Sequence, residues 1–303
     1  MKCRYPLITI SLFLLLAFAC QQAQARTIAF QRGEGIWASG AGGWDQRFVC
    51  AGYDPAISPD GRQIAFTRYE YSGKNLNRHI ALCEVDSGEV TMLGTVPGTT
   101  SFGPAWSLAG DAIAFTVYAG GAWGVGVVRP DGGGYRLLTE GLGVDLYSPM
   151  WTGDGRIVCH GGGQIYTLDP RGGAAHKEPC EKIAGGYAVT GATAFAFSQD
   201  GRRLLFGASV DGESIRGLNE PPDAVFVHRM SSGVTARVTP AGLCALYPSW
   251  FSDGRILFSG FGEGDIPPAG GGAIGTRVYT VDVTGKNMKA LIEDATDPSI
   301  SAE

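Results

Sequence analysis

The sequence predicts an all-β fold, a six-bladed β-propeller of four-stranded antiparallel blades. Three observations carry that prediction. A segment reading DPAISPDGRQIAF at 54–66 recurs along the chain, the intervals between copies are nearly constant, and the two ends of the chain hold complementary halves of one further copy. The copies are GPAWSLAGDAIAF at 103–115, SPMWTGDGRIVC at 148–159, FAFSQDGRRLLF at 195–206 and YPSWFSDGRILF at 247–258, followed by the opening half of another, DPSISAE at 297–303. Ile57, Trp106, Trp151, Phe197, Trp250 and Ile300 occupy one place in the unit, at steps of 49, 45, 46, 53 and 50 residues. Repeats of this length, dominated by short strands, are the signature of a propeller or another stacked array.

Within each unit the first strand is short and alternating, and it carries the large apolar residue of that column, expected in the core. It runs into Asp-Gly, where glycine takes the positive φ that a tight hairpin needs. The return strand places a pair of apolar side chains on one face by its period of two. These pairs are Ile64 and Phe66, Ile113 and Phe115, Ile157 and Cys159, Leu204 and Phe206, and Ile256 and Phe258. A third strand, a turn and a fourth strand follow. HIALCEVD, the turn at Ser87 and Gly88, and EVTMLG show the scheme, and the later turns are PDGGG at 130–134, PRGG at 170–173, SSG at 231–233 and TGK at 284–286. Four antiparallel strands per repeat are the content of one blade.

The ends complete each other. TIAF at 27–30 matches a second strand with no first strand before it, and DPSIS at 297–301 is a first strand with nothing after it. The C-terminal strand is therefore expected to complete the N-terminal blade and close the ring. The expected organisation is a signal peptide over 1–25 and a propeller over 26–303.

The copies resemble the WD40-like repeat P-x-W-S-P-D-G-x-x-I-A-F of the TolB-type propellers of bacterial envelopes. PAISPDGRQIAF and PAWSLAGDAIAF match it closely, while FAFSQDGRRLLF lacks the proline. The resemblance covers essentially the whole exported chain and implies a six-bladed propeller in the periplasm that binds partners. TolB itself carries an α/β domain ahead of its propeller, and here the propeller is read directly after the signal, so the Tol-system role is not carried over. The same repeat serves scaffold proteins, peptidase accessory domains and some lyases.

Lys2 and Arg4, the apolar run 7–19 and AQA at 23–25 form an export signal with cleavage after Ala25. The run is too short for a comfortable membrane span. LAFAC at 16–20 resembles a bacterial lipobox with Ala17 in place of the preferred leucine, so lipidation of Cys20 is the alternative, and membrane attachment is expected only by that route. Without the signal, 22 basic residues stand against 29 acidic ones, a net charge of −7. An acidic chain without a basic cluster is a poor match for nucleic acid or an anionic membrane surface. Cys50, Cys83, Cys159, Cys180 and Cys244 remain, an odd number without C-x-x-C spacing, which gives metal or redox motifs little support. Export would permit a disulfide, but small buried hydrophobes are the preferred reading. Cys159 and Cys180, though in one repeat, are not expected to pair.

Function is expected on the face where second-to-third-strand loops meet the connections between blades. Insertions at 69–78, 209–223 and 260–277 fall there, in blades 2, 5 and 6, and long loops on a rigid scaffold either carry function or are inert. Tyr53, Phe102, Tyr147 and Tyr247 precede the first strands on the same face, and they either rim the channel mouth or wedge between blades. No cofactor is expected as a requirement. Asp54, Asp145 and Asp297 could offer oxygen ligands to a channel-bound cation such as calcium, against the simpler reading of solvated loop carboxylates. G-x-S-x-G, H-E-x-x-H and EF-hand signatures are missing, GGGAIGTR at 270–277 lacks a P-loop lysine, and His79, His160, His176 and His228 fall at unrelated blade positions. The expected function is therefore non-catalytic binding of a protein or extended ligand in the envelope. The alternative is a lyase or hydrolase acting on a polysaccharide or similar polymer at the channel mouth.

Overall fold

The computed structural model describes residues 26–302, apart from 99, 192, 253, 269 and 270. The export signal, the AQA site and Cys20 lie outside the described residues, as do Ala269 and Gly270 of the long loop in blade 6. Six four-stranded antiparallel sheets form six blades. The inner strands are Thr296–Ile300 in blade 1, then Tyr53–Ile57, Ser101–Trp106, Tyr147–Trp151, Ala196–Phe197 and Leu243–Ser252. Helix among the described residues amounts to Glu181–Ala184 and one 3-10 turn, Glu263–Asp265.

Closure is as the two chain ends predict. Thr296–Ile300 pairs antiparallel with Thr27–Arg32, Ile28 opposite Ile300. Thr27 N–H donates to Ser301 Oγ at 3.0 Å and Ser301 N–H returns a bond to Thr27 O, also at 3.0 Å. The closing strand is held from both neighbours as well. Ile57 N–H donates to Ser299 Oγ at 3.0 Å from blade 2, and Ser249 Oγ–H donates to Pro298 O at 3.2 Å from blade 6.

The Asp-Gly turns follow one design. Ser58 Oγ–H donates to Asp60 Oδ1 at 2.6 Å, Ser198 to Asp200 at 2.6 Å and Thr152 to Asp154 at 2.5 Å. Blade 3 reads Ala-Gly-Asp instead, and there Ser107 reaches Asp111 at 2.7 Å, one residue past the glycine. The hydroxyl also accepts the amide that opens the return strand, Gln63 N–H at 2.9 Å in blade 2. Each turn thus satisfies its own polar groups without help from the neighbouring blade.

The core lies in sheet-on-sheet layers between blades, centred on return-strand pairs such as Phe66, Phe115, Phe206 and Phe258, all fully buried. The Ile57 column departs from the expectation of plain core. Ile57 and Trp106 are buried, but Trp151, Phe197, Trp250 and Ile300 are half-buried and line the central channel. The tryptophans also stitch blades together. Trp106 Nε1–H donates to Ala56 O at 2.9 Å, Trp151 to Ala105 O at 3.0 Å and Trp250 to Ala196 O at 2.9 Å, each carbonyl belonging to the preceding blade. Where the column holds Ile or Phe no such rung forms, because these side chains have no donor.

Candidate functional site

A second inter-blade device sets up the face where the expected site lies. The residue before the motif proline is left-handed in five blades: Asp54 (φ 51°), Gly103 (60°), Ser148 (52°), Tyr247 (51°) and Asp297 (49°). Each marks a register shift between the inner strand and its neighbour. The turned backbone aims the amide at the preceding blade. Gly103 N–H donates to Thr67 Oγ1 at 3.2 Å, Ser148 N–H to Thr116 Oγ1 at 3.2 Å and Asp297 N–H to Ser259 Oγ at 2.8 Å. Blade 5 lacks the proline and the bulge, and its inner strand is only two residues long.

The inner strands enclose a channel cavity of about 490 Å³. At one mouth it is walled by Tyr247, Asp223 and Asp297, and its other end reaches Arg26, Pro59, Leu108 and Gln199. Burial, reinforced by the charge of Asp54 across the blade 1 and blade 2 seam, holds the Asp297 carboxyl well above the ordinary carboxylate range. Burial among protein walls and the charges of Asp297, Asp54 and Asp223 push the Tyr247 hydroxyl up to about 12, although 48% of the residue's surface is open to the mouth. The Asp54 carboxylate accepts Thr67 Oγ1–H at 2.7 Å, and that of Asp223 accepts Ser209 Oγ–H at 2.5 Å. This side of the mouth is an acidic wall with a phenol at its edge. It can accept hydrogen bonds and favour positive charge, and a protonated Asp297 could donate a bond.

Of the four aromatic candidates, Tyr247 alone lines the cavity. The other three lie outward on the same face. Tyr53 stacks on Tyr69 with centroids 4.0 Å apart, while Phe102 and Tyr147 flank Trp123 at 5.4 and 6.1 Å. Trp123 therefore wedges between blades 3 and 4 with Phe102 and Tyr147 against it, while Tyr247 opens onto the channel. The cause is register. Tyr247 stands one residue before its proline and the others two, and a shift of one residue turns a strand side chain to the opposite face.

The three carboxylates are likewise not all brought together. Asp54 and Asp297 are equivalent bulge residues and meet at the mouth, but Asp145 stands four residues before Pro149 and accepts Trp123 N–H at 2.9 Å through its carboxylate. Among the described residues no group of three or more His, Cys, Asp or Glu is placed to hold a metal ion. The insertion at 69–78 is likewise no loop. It is a β-ribbon extending blade 2, Glu70 opposite Asn77 and Tyr71 opposite Leu76, with a turn at Gly73. Residues 210–222 connect two strands, and after Gly262 the chain enters the 3-10 turn Glu263–Asp265, which Arg277 at the start of the next strand ties down through Asp265 at 2.6 Å. The histidines do not converge. His160 is buried against Phe195, His228 bonds Thr235, His79 faces Glu70 and His176 is exposed.

Residues outside the repeat motif complete the face. Arg78 lies over Phe102 at 4.3 Å and Trp123 at 5.6 Å, and Tyr118 meets Trp123 edge-on at 5.2 Å. Tyr71 is 73% exposed at the ribbon's tip and Tyr118 45%. The sequence signal for these was aromatic enrichment at the ends of second and third strands.

The ring, its closure and its channel define a six-bladed propeller, and comparison with known proteins makes the fold TolB-like. Protein TolB homolog of Chlorobium luteolum is 32% identical over 120 residues, 38% of this chain. The matched segments span only 14% and 26% of the lengths of the curated relatives. TolB from Acinetobacter baumannii superposes with a TM-score of 0.66 at 16% identity, over 92% of this chain and 67% of that one. The oligogalacturonate lyase of Vibrio parahaemolyticus shares the fold at a TM-score of 0.50 and 13% identity, over 76% of this chain and 70% of the lyase. No family model matches the chain. Among the described residues no helix is long and apolar enough to cross a membrane.

Proposed function

We propose that this chain is a partner-binding propeller of the bacterial envelope. Its aromatic face receives a protein or another extended ligand. The observation that carries the reading is the concentration of Tyr53, Tyr69, Tyr71, Phe102, Tyr118, Trp123 and Tyr147 on the face from which Tyr247 opens the channel. Large rigid rings with a polar tip supply contact area at low entropic cost and dominate binding hot spots. The TolB-like fold supports protein partners, and the export signal read from residues 1–25 of the sequence supports the envelope.

The test is a crosslinking pull-down from the source envelope, comparing the native protein with a Tyr71→Ala, Tyr118→Ala, Tyr247→Ala variant. All three side chains are exposed, so the variant should melt like the native protein. A partner held by the native ring and lost from the variant supports the reading. An equal yield from both sinks this placement of the site.

One observation favours a second reading, a polymer-cleaving enzyme. Asp297 lines the channel mouth, and burial together with the charge of Asp54 raises its carboxyl well above the ordinary range, the direction a general acid needs. Cleavage of a uronide polymer that is abolished by Asp297→Asn would support it, and unaltered polymer with the native protein would dismiss it for that substrate.

A further inference from the structure

The five described cysteines are all reduced and buried. Cys159, Cys180 and Cys244 each belong to a different hydrophobic cluster, whereas Cys50 and Cys83 share one, the layer between blades 1 and 2. Cys50 is on the outer strand of blade 1, opposite Ile36, and Cys83 is on the third strand of blade 2, opposite Ile64 and Val90. Both side chains pack in that layer, where Cys83 Sγ–H lies 3.8 Å from Glu84 O, and the neighbouring Cys83 together with burial pushes the Cys50 thiol up.

Independent contacts on either side of the pair pin the seam. Arg47 Nη1–H donates to Val85 O at 2.5 Å and Nη2–H to Asp86 Oδ1 at 2.9 Å. A Cβ placed on Gly88 would lie 2.8 Å from Val49 O, so the turn of blade 2 lies directly against the strand that carries Cys50. The seam that holds the two thiols is therefore fixed by backbone as well as by side chains.

We propose that Cys50 and Cys83 are an oxidisable pair whose disulfide staples blade 1 to blade 2. The oxidant is a disulfide-bearing thiol carrier of the kind that acts on exported chains. The thiolate of one cysteine attacks the carrier disulfide and expels one carrier thiol. The second cysteine then attacks the mixed disulfide and expels the other. Two electrons pass to the carrier, and the two protons of the protein thiols end on the carrier thiols. With Cys83 fully buried and Cys50 6% exposed, attack belongs to the stage before blades 1 and 2 dock.

The test is refolding of the reduced full chain with oxidised glutathione, then alkylation of free thiols under denaturing conditions and non-reducing peptide mapping. The expected product is one linked pair of peptides containing Cys50 and Cys83, with Cys159, Cys180 and Cys244 alkylated. Mapping by peptide separates this link from any involving Cys3 or Cys20. The oxidised protein should also melt above its reduced form, and Cys50→Ala should erase that difference. Alkylation of both Cys50 and Cys83 after oxidative refolding, stable glutathione adducts on them, or a linkage to other cysteines would overturn the proposal. The mapping uses the native sequence, so it does not depend on any variant folding.

Discussion

Asp54 and Asp297 occupy the same bulge position in successive blades, and the charge of the first bears on the buried carboxyl of the second. Only Asp54 is matched to a hydroxyl donor of its own blade, Thr67 at 2.7 Å. The pairing puts a pH dependence into the ring. The folded-state value of Asp297 lies above the reference value of 3.8, so the folded protein holds this proton more tightly than the unfolded chain does. Its stabilising contribution is complete below that reference value and is lost as pH rises through the folded-state value. Asp297→Asn keeps the size and tolerates φ 49°. The variant should melt above the native protein at neutral pH, and the gap should close towards pH 3.8. Melting curves across that window check it, and a gap that widens on acidification would refute the assignment.

Removal of residues 297–303 should lower the melting temperature and broaden the transition. The bonds joining Thr27 and Ser301, and Ile57 and Ser299, would be lost, each worth about 0.5–1.5 kcal/mol. Thr27–Arg32 would become an open edge, so aggregation should rise as well. Calorimetry and light scattering read both effects. A sharp, unshifted melt would mean that the strand is ornamental.

Gly103 isolates the cost of the bulge conformation. Its φ is +60°, and a Cβ there would meet nothing within 4 Å. Gly103→Ala should therefore destabilise by about 1–2 kcal/mol through the backbone alone, and Gly103→Asn by less. Urea titration of the two variants gives the ranking, and equal stability of native and Ala forms would remove the conformational argument.

The ring was legible because one column of side chains and one turn recur at steady steps, and local periodicity sufficed to count blades. The site was only partly legible. The sequence places Tyr247 one residue before its proline and Tyr53 two, and that offset, though visible, does not by itself tell that Tyr247 takes the channel and Tyr53 stacks on Tyr69. Asp145 precedes a comparable strand but not at the bulge, so its carboxylate turns to Trp123. The bulge had a sequence signal that went unread: Thr67, Thr116 and Ser259 each follow the phenylalanine of a return strand, and these hydroxyls accept the next blade's amide. Trp123 has no counterpart in the repeat. Its importance arises from neighbours on other strands and blades, which spacing along one chain does not encode.

The antiparallel pairing of Ile28 with Ile300 constrains time as well as space. Thr27 and Ser301 are 274 positions apart, and their bonds cannot form until nearly the whole chain has emerged. Contacts of such sequence separation slow folding, because the entropy of closing the loop must be met before the contact rewards it. While blades 2 to 6 assemble by local hairpins, blade 1 waits as three strands with an exposed edge. A chain crossing a membrane N-terminus first would thus carry its most adhesive surface longest, and the interval before closure is when a chaperone would matter most.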